Sequence, residues 1–437
     1  MGAKEKISRM PQLRQEMMLN WKLLATNQTY TLIENFSTSF AALYFVGGVR
    51  VTYTTGIASG GPLAYWTSYI VTCFFTFITA AVIAEVCSAS PSAGSIYLWA
   101  AEAGGPKYGR LLGFVVAWWS TTAWMTFCAS NTQGAVNYML SEIVVFNVDF
   151  PTDTSDIKFR AVQWICTEVL LALAAIVNFL PPRLFKYVFW VSSFLVMLDF
   201  VLNLIWLPIG AARTIGFRTA EEAFMTTYNG TGAPAGWNWC LSYLATAGWV
   251  SRVSAEGQPR NAVLVIWGCA SLVTCTILPS AVAFTSLISA AGVPSAAAYG
   301  LISFGRFFLT PNTFPQPRWS LGKLSRPFHF ISIFWNGWVV AILFSPYEFP
   351  VTGATLNYAP IIMAGVTILA LISWWFTPVG SWLPRERISH FVESEGAPAE
   401  GLRQEADDQV QTPEPEGDTT PATISENGEL LDRATAR

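Results

Sequence analysis

Charge is scarce in this sequence. Only 12% of its 437 residues are Asp, Glu, Lys or Arg, against about 25% in an average soluble domain. Histidine occurs twice, and the seven cysteines form no CxxC pair. A metal site and a disulfide framework therefore both lack their residues at the required spacing. There is no nucleophile–base set or phosphate loop, and the basic residues are scattered along the connections rather than gathered in a patch. An enzyme and a nucleic-acid binder are both excluded on these grounds, and no cofactor is implied. The first residues, "MGAKEKISRMPQLRQEMMLNWK", lack the charged-then-apolar pattern of a cleavable signal. The Met-Gly start also lacks the Ser or Thr at the sixth position that marks myristoylation.

What the chain has is apolar surface: 52% of its residues are hydrophobic and 14% aromatic. They fall in blocks of about 20 residues, the length that crosses a hydrocarbon core as helix. A membrane barrel would alternate polar and apolar residues over strands of about 10 residues instead. The pattern predicts an all-α polytopic membrane protein with spans at 36–58, 62–87, 110–135, 161–180, 187–210, 236–250, 261–281, 282–305, 328–345 and 358–377. The sixth of these is short for a crossing, and Pro279 divides the seventh from the eighth only weakly.

Positive side chains are retained on the cytoplasmic side. With the N-terminus inside, alternate connections place 20 of the 25 Lys and Arg residues inside and four outside (Lys158, Arg160, Arg213 and Arg218), leaving Arg50 within a span. An even number of spans with both termini cytoplasmic follows. Trp237 and Trp239 read as an interfacial belt, and the sequon Asn229-Gly230-Thr231 falls in an outer loop, where glycosylation is physically possible. Residues 1–33 form a cytoplasmic tail, 34–384 the transmembrane domain, and 385–437 a hydrophilic tail holding 13 of the 28 acidic groups. That acidic tail is expected to be disordered.

Ionisable groups inside spans are costly and mark candidate functional positions. Arg50 follows Gly47-Gly48 in "YFVGGVRVTY". Adjacent glycines weaken a helix by about 1 kcal/mol each relative to alanine, which suits a break that offers backbone groups to a ligand. Its guanidinium either lines a substrate site, favouring a carboxylate-bearing ligand, or snorkels to the surface. The carboxylate argument fails if Arg50 is paired with Glu168 or Asp199. Glu85, at the cytoplasmic end of the second span, faces an unfavourable helix dipole unless a neighbour such as Lys107 or Arg110 pairs with it; a cytoplasmic gate or a packing role is expected, rather than substrate contact. Glu168 and Asp199 lie mid-span, where carboxylates either carry protons or pair structurally. Asn131, Gln133 and Asn137 of the third span either bond a ligand or hold helices together.

"SGGPLAYW" and "AEVCSASPSAGSIYLWAAEAGGPKYGRLLGFVVAWW" carry Gly60-Gly61-Pro62, Glu85, Pro91, Gly94 and Tyr97 in one spacing. In this the chain resembles the first three helices of fungal amino acid, GABA and choline permeases of the amino acid–polyamine–organocation (APC) superfamily. "LPPRLFKYVFW", "NGTGAPAGWNW" and "PRNAVLVIWG" extend the resemblance over most of residues 34 to 382. It implies a LeuT-like inverted-repeat transporter, for which the family norm is twelve transmembrane helices rather than about ten. The first and sixth helices of that fold are unwound at the substrate, which puts Gly47, Gly48, Val49 and Arg50, with Ala245, Thr246, Ala247 and Gly248, in the substrate-binding segments. The resemblance breaks where "ATAG" runs into "WVSRVSAEGQPRNAV", which is similar to the loop before the family's ninth helix. An internal deletion near 248–251, removing the second half of helix six with helices seven and eight, is therefore expected.

The resemblance implies a secondary active transporter of amino acids or related small amines, working by alternating access and coupled to protons. The alternative is a transport-inactive truncated isoform or a regulatory membrane sensor of the same family. The implied partners are a small-molecule substrate, protons and the lipid bilayer, with no nucleic acid; the oligomeric state stays open. The expected location is the plasma membrane, or else the vacuolar membrane.

Overall fold

The computed structural model describes residues 45–382 apart from 91–94, 251–259, 279–282, 316, 318, 347, 354–355 and 379–381, together with Ser37, Phe40 and Ala41. The expected tails at 1–33 and 385–437 lie outside the described residues. So does most of the expected junction at 248–251, where only the backbone of Gly248–Val250 is described.

Each expected span is a helix: α1 (Phe45–Ala58), α2 (Gly61–Ala89), α3 (Ser95–Val145), α4 (Ile157–Val177), α5 (Pro182–Thr214), α7 (Ala235–Val250), α8 (Arg260–Thr274), α9 (Ala283–Phe304), α10 (Ser325–Leu343) and α11 (Ala359–Phe376). Between α5 and α7 lies a five-residue helix, α6 (Ala220–Phe224), opened by a reciprocal Thr219–Glu222 cap. No strand occurs among the described residues; Ser59 and Asn229 form an isolated bridge. The reason is the solvent, since hydrocarbon satisfies no backbone N–H or C=O and helices satisfy their own. Five helices, α2, α3, α4, α5 and α11, are individually long and apolar enough to cross a membrane. The chain is an integral membrane protein.

The third span is longer than the apolar block predicts. Its helix begins at Ser95, turns at Gly105 (φ 63, ψ −166) ahead of Pro106, and then runs on to Val145. The turn brings two pieces of backbone together, because a Cβ on Gly109 would lie 2.2 Å from the Ala101 carbonyl oxygen.

Burial follows small and aliphatic side chains. One cluster joins Leu241 and Leu244 of α7 with Val293 and Ala296 of α9, Val339 and Ile342 of α10, and Met363 of α11. A second joins Ile83 and Val86 of α2 with Val116 of α3 and Ala298 and Ile302 of α9. By contrast α5 shows Phe194, Leu204, Trp206 and Leu207 on its exposed surface, which suits contact with lipid.

The segment 224–232 folds over the junction of α1 and α2. Gly60 N–H donates to the Tyr228 carbonyl (2.9 Å), Gly230 N–H to Ala58 (2.8 Å), and the Trp66 indole to Phe224 (2.9 Å). Asn229 donates its Nδ2 to the Ala233 carbonyl, while its Oδ1 accepts from Thr231 and Gly232. The sequon is thus a hydrogen-bonded turn, with Asn229 exposed. Gly61 holds φ +76, and a Cβ there would meet Tyr228 N at 2.6 Å and Thr226 O at 2.9 Å. Gly61→Ala is therefore expected to destabilise the protein by about 1–3 kcal/mol. Gly365→Ala, with nothing within 4 Å of the added carbon, should melt at or slightly above the wild-type temperature. Thermal unfolding of the detergent-purified protein separates the two.

Candidate functional site

The expected substrate segments lie on α1 and α7, which pack against each other. Gly56 permits the close approach, since a Cβ there would stand 3.1 Å from the Ala245 Cβ. Ala245 and Thr246 are buried, and the Thr246 hydroxyl shares a hydrogen bond with Thr72 of α2 (3.2 Å).

Neither segment is unwound. The backbone is helical from Phe45 through Gly47, Gly48, Val49 and Arg50 to Ala58, and from Ala235 through Thr246, Ala247 and Gly248 to Val250. The Thr52 hydroxyl donates back to the Gly48 carbonyl at 3.0 Å. Two glycines weaken a helix by about 1 kcal/mol each, whereas a lost amide hydrogen bond in apolar surroundings costs about 4–6 kcal/mol. Glycine permits a break there without imposing one. The helix gives way instead at Gly60, beyond Ala58, where the 224–232 segment supplies hydrogen-bond partners.

Arg50 is paired. Its Nη1 lies 3.3 Å from Asp199 Oδ1, which also accepts from Asn203 Nδ2 (2.9 Å), and its guanidinium stands 5.0 Å from the Tyr138 ring centre. The condition under which the carboxylate argument fails is met. Asp199 already neutralises the guanidinium, and the pair ties α1 to α5.

Glu85 is buried near the end of α2, with 4% of its surface exposed. The basic partners expected for it are engaged elsewhere: Arg110 donates to the Trp382 carbonyl and stands over the Trp374 ring, and Lys107 over Tyr108. The carboxylate accepts instead from the Ser320 hydroxyl (2.9 Å) and the Ser325 hydroxyl (2.8 Å), and faces His329 Nε2 at 3.7 Å. The imidazole is 2% exposed, and neither of its nitrogens makes a hydrogen bond. The cluster joins α2, the 319–324 connection and α10. Further along the same interface, Asn336 Nδ2 donates to the Ser332 carbonyl (2.8 Å) and to Thr79 Oγ1 (3.3 Å), and Ser332 bonds Ser303 (2.9 Å). His329, Ser332 and Asn336, at i, i+3 and i+7 in "HFISIFWNG", share one helix face. That polar spacing is the signal by which the sequence could have disclosed them.

Glu168 of α4 accepts from the Thr274 hydroxyl of α8, so this mid-span carboxylate links two helices. Gln133 of α3 opens on a cavity of about 370 Å3 between α3 and α4, together with Asn137, Ser141, Thr154, Arg160 and Gln163. None of the expected α1 or α7 site residues lines it. Asn131, two residues before Gln133 and so on nearly the opposite face of the same helix, is likewise absent from its lining. In the connection beside it, the hydroxyl and then the amide of Ser155 hold the exposed Asp153 carboxyl below its ordinary value. The described cysteines are all free, and no cluster of metal-binding side chains occurs among the described residues.

A profile described as amino acid permease matches residues 33–252 and 243–367. The thiamine transporter thi9 of Schizosaccharomyces pombe is 37% identical over 497 aligned residues, covering 82% of this chain and 84% of the relative. The amino-acid permease BAT1 of Arabidopsis thaliana is 24% identical over 475 residues (79% of this chain, 91% of the relative). Its homolog in Oryza sativa subsp. japonica is 21% identical over 469 (79% and 90%). The alignment to the thiamine transporter is longer than the 437-residue chain, so it passes over stretches of the relative with no counterpart here.

A double-mutant cycle tests the ion pair. Arg50→Gln and Asp199→Asn are each expected to lower the melting temperature, with the double variant less harmed than the sum by about 1 kcal/mol. Strict additivity would mean that the two side chains do not interact.

Proposed function

This chain belongs to the amino acid permease family and is a secondary transporter, and on that premise we propose that its substrate is a small amine-bearing organic cation that passes between α1 and α7. The observation that carries this reading is the Arg50–Asp199 pair. With the guanidinium paired to Asp199, no free positive charge on α1 selects a carboxylate, and a cation meets no repulsion there. The 37% identity to a thiamine transporter supports the same sign of charge, and makes thiamine, a cation that also bears an amine, the first substrate to test. Gly47, Gly48 and Val49 with Ala245, Thr246, Ala247 and Gly248 are the proposed lining. Helical here, these segments would open in another state of an alternating-access cycle.

Protons are the proposed coupling ion, with Glu85 as the gate. Burial of this carboxylate among two hydroxyls and an imidazole supports that role. The distribution of 20 basic residues to one side and four to the other supports cytoplasmic termini, and the plasma membrane, or else the vacuolar membrane, is the proposed location. The shortened sixth helix and the loss of helices seven and eight are also proposed. The split of the family match at 243–252 and an alignment longer than the chain support it.

Uptake of labelled thiamine and labelled 4-aminobutyrate by cells expressing this chain tests the reading, beside a version with the missing helices restored from the thiamine transporter. Thiamine uptake exceeding that of 4-aminobutyrate is expected from both. Normal surface delivery without uptake would show that this shortened chain does not transport, and a preference for 4-aminobutyrate in the restored version would overturn the cation. For the gate, Glu85→Gln in proteoliposomes should cut uptake driven by a pH gradient about ten-fold, or 1.4 kcal/mol, while substrate exchange continues. Wild-type gradient-driven uptake would remove Glu85 from coupling.

A further inference from the structure

The cavity between α3 and α4 holds two buried polar atoms that nothing in the protein satisfies. Gln133 is 3% exposed, and its Oε1 accepts no hydrogen bond; the Arg160 Nε is buried and donates none. Two acidic side chains of the adjoining connection have hydrogen-bond partners of their own. Asp153 is held by Ser155, and Asp156 caps α4 by accepting from Lys158 N–H at 2.7 Å. Among the described residues Arg160 forms no ion pair. Across the same space Gln163 Nε2 donates to Asn137 Oδ1, which fixes both carboxamides. An unsatisfied buried acceptor or donor costs about 1–3 kcal/mol. Both residues line that cavity, so a molecule seated in it that carries a donor and an acceptor would supply the complements that both side chains lack.

We infer that this cavity binds a small organic acid carrying a second, hydrogen-donating group, an amino or hydroxy acid, with its carboxylate on Arg160 and its donor on Gln133 Oε1. A guanidinium favours a carboxylate by charge and by its fixed fork of N–H donors. The volume, about 370 Å3, falls within the usual range of about 300–1,000 Å3 for small-molecule pockets. Thr152 and Thr154, both exposed, stand at the aqueous end, beside the connection between α3 and α4. The site is separate from the proposed path between α1 and α7. It takes a ligand of the opposite charge character, so it is a peripheral or regulatory site and does not depend on the substrate proposed above.

The test uses the detergent-purified full chain and reads binding by calorimetry and by ligand-induced thermal stabilisation, neither of which requires transport. 4-Aminobutyrate carries both groups, butyrate only the acid, and butylamine only the donor. The first should bind saturably, and the other two at least about ten-fold more weakly. Arg160→Gln should abolish binding, and Arg160→Lys should retain part of it. Gln133→Leu is the discriminating variant. Replacing an unsatisfied buried acceptor with an apolar group of similar size should leave the ligand-free melting temperature unchanged or raise it, while removing the preference for 4-aminobutyrate over butyrate. Absence of saturable binding of all three compounds, showing a cavity that holds only water, would overturn the proposal. So would unchanged binding in both Arg160 variants, or a Gln133→Leu protein that is destabilised yet still prefers 4-aminobutyrate.

Discussion

Hydrocarbon offers no hydrogen bonds, and most of this structure follows from that constraint. A peptide group without a partner costs more there than any helix propensity can recover. Every apolar block is therefore helical, including the one with adjacent glycines at 47 and 48 and the short one ending at Val250. Irregular backbone is confined to places where something else satisfies it. Gly60 and Gly61 depart from helical geometry because the segment around Tyr228 and Thr226 supplies the missing partners. The helix turns at Gly105 where Pro106 has no N–H to lose.

The same constraint governs charged side chains. Arg50 and Asp199 neutralise each other between α1 and α5, Glu168 joins α4 to α8 through Thr274, and Glu85 gathers two serines and a histidine from beyond α9. Each is a contact between helices far apart in sequence. Their common effect is to hold particular pairs of helices together, as a carrier that rocks one group of helices against another requires. The Glu85 cluster differs in containing an imidazole with both nitrogens unsatisfied, and the α3–α4 cavity differs in being lined by a guanidinium, that of Arg160, which forms no ion pair among the described residues. These two places hold polar capacity that the protein does not use on itself.

The positions of the apolar spans were legible in the sequence because hydrophobic length is a local property, readable without knowing any neighbour, and family membership because its motifs are short stretches of sequence. The extension of α3 back to Ser95 was less legible, since "AAEAGGPKYG" breaks the apolar run yet remains mostly helical. Candidate charges were equally visible as exceptions within apolar blocks. Their roles were not: Arg50 read as well for a ligand as for a partner, and Lys107 and Arg110 looked like partners of Glu85 by proximity in sequence alone. His329 was legible only as one member of the polar spacing it shares with Ser332 and Asn336; its pairing with Glu85, 3.7 Å away, depends on which helices are adjacent.

The sequence by itself determined that the chain is a bundle of membrane helices, because composition and the length of apolar runs suffice to choose a solvent and a secondary structure, and its motifs marked the permease lineage. Only the tertiary structure decided which charges are satisfied and which are left over. Pairing depends on which helices are adjacent and how they are rotated, and partners separated by 149 residues, as Arg50 and Asp199 are, leave no mark on each other's local sequence.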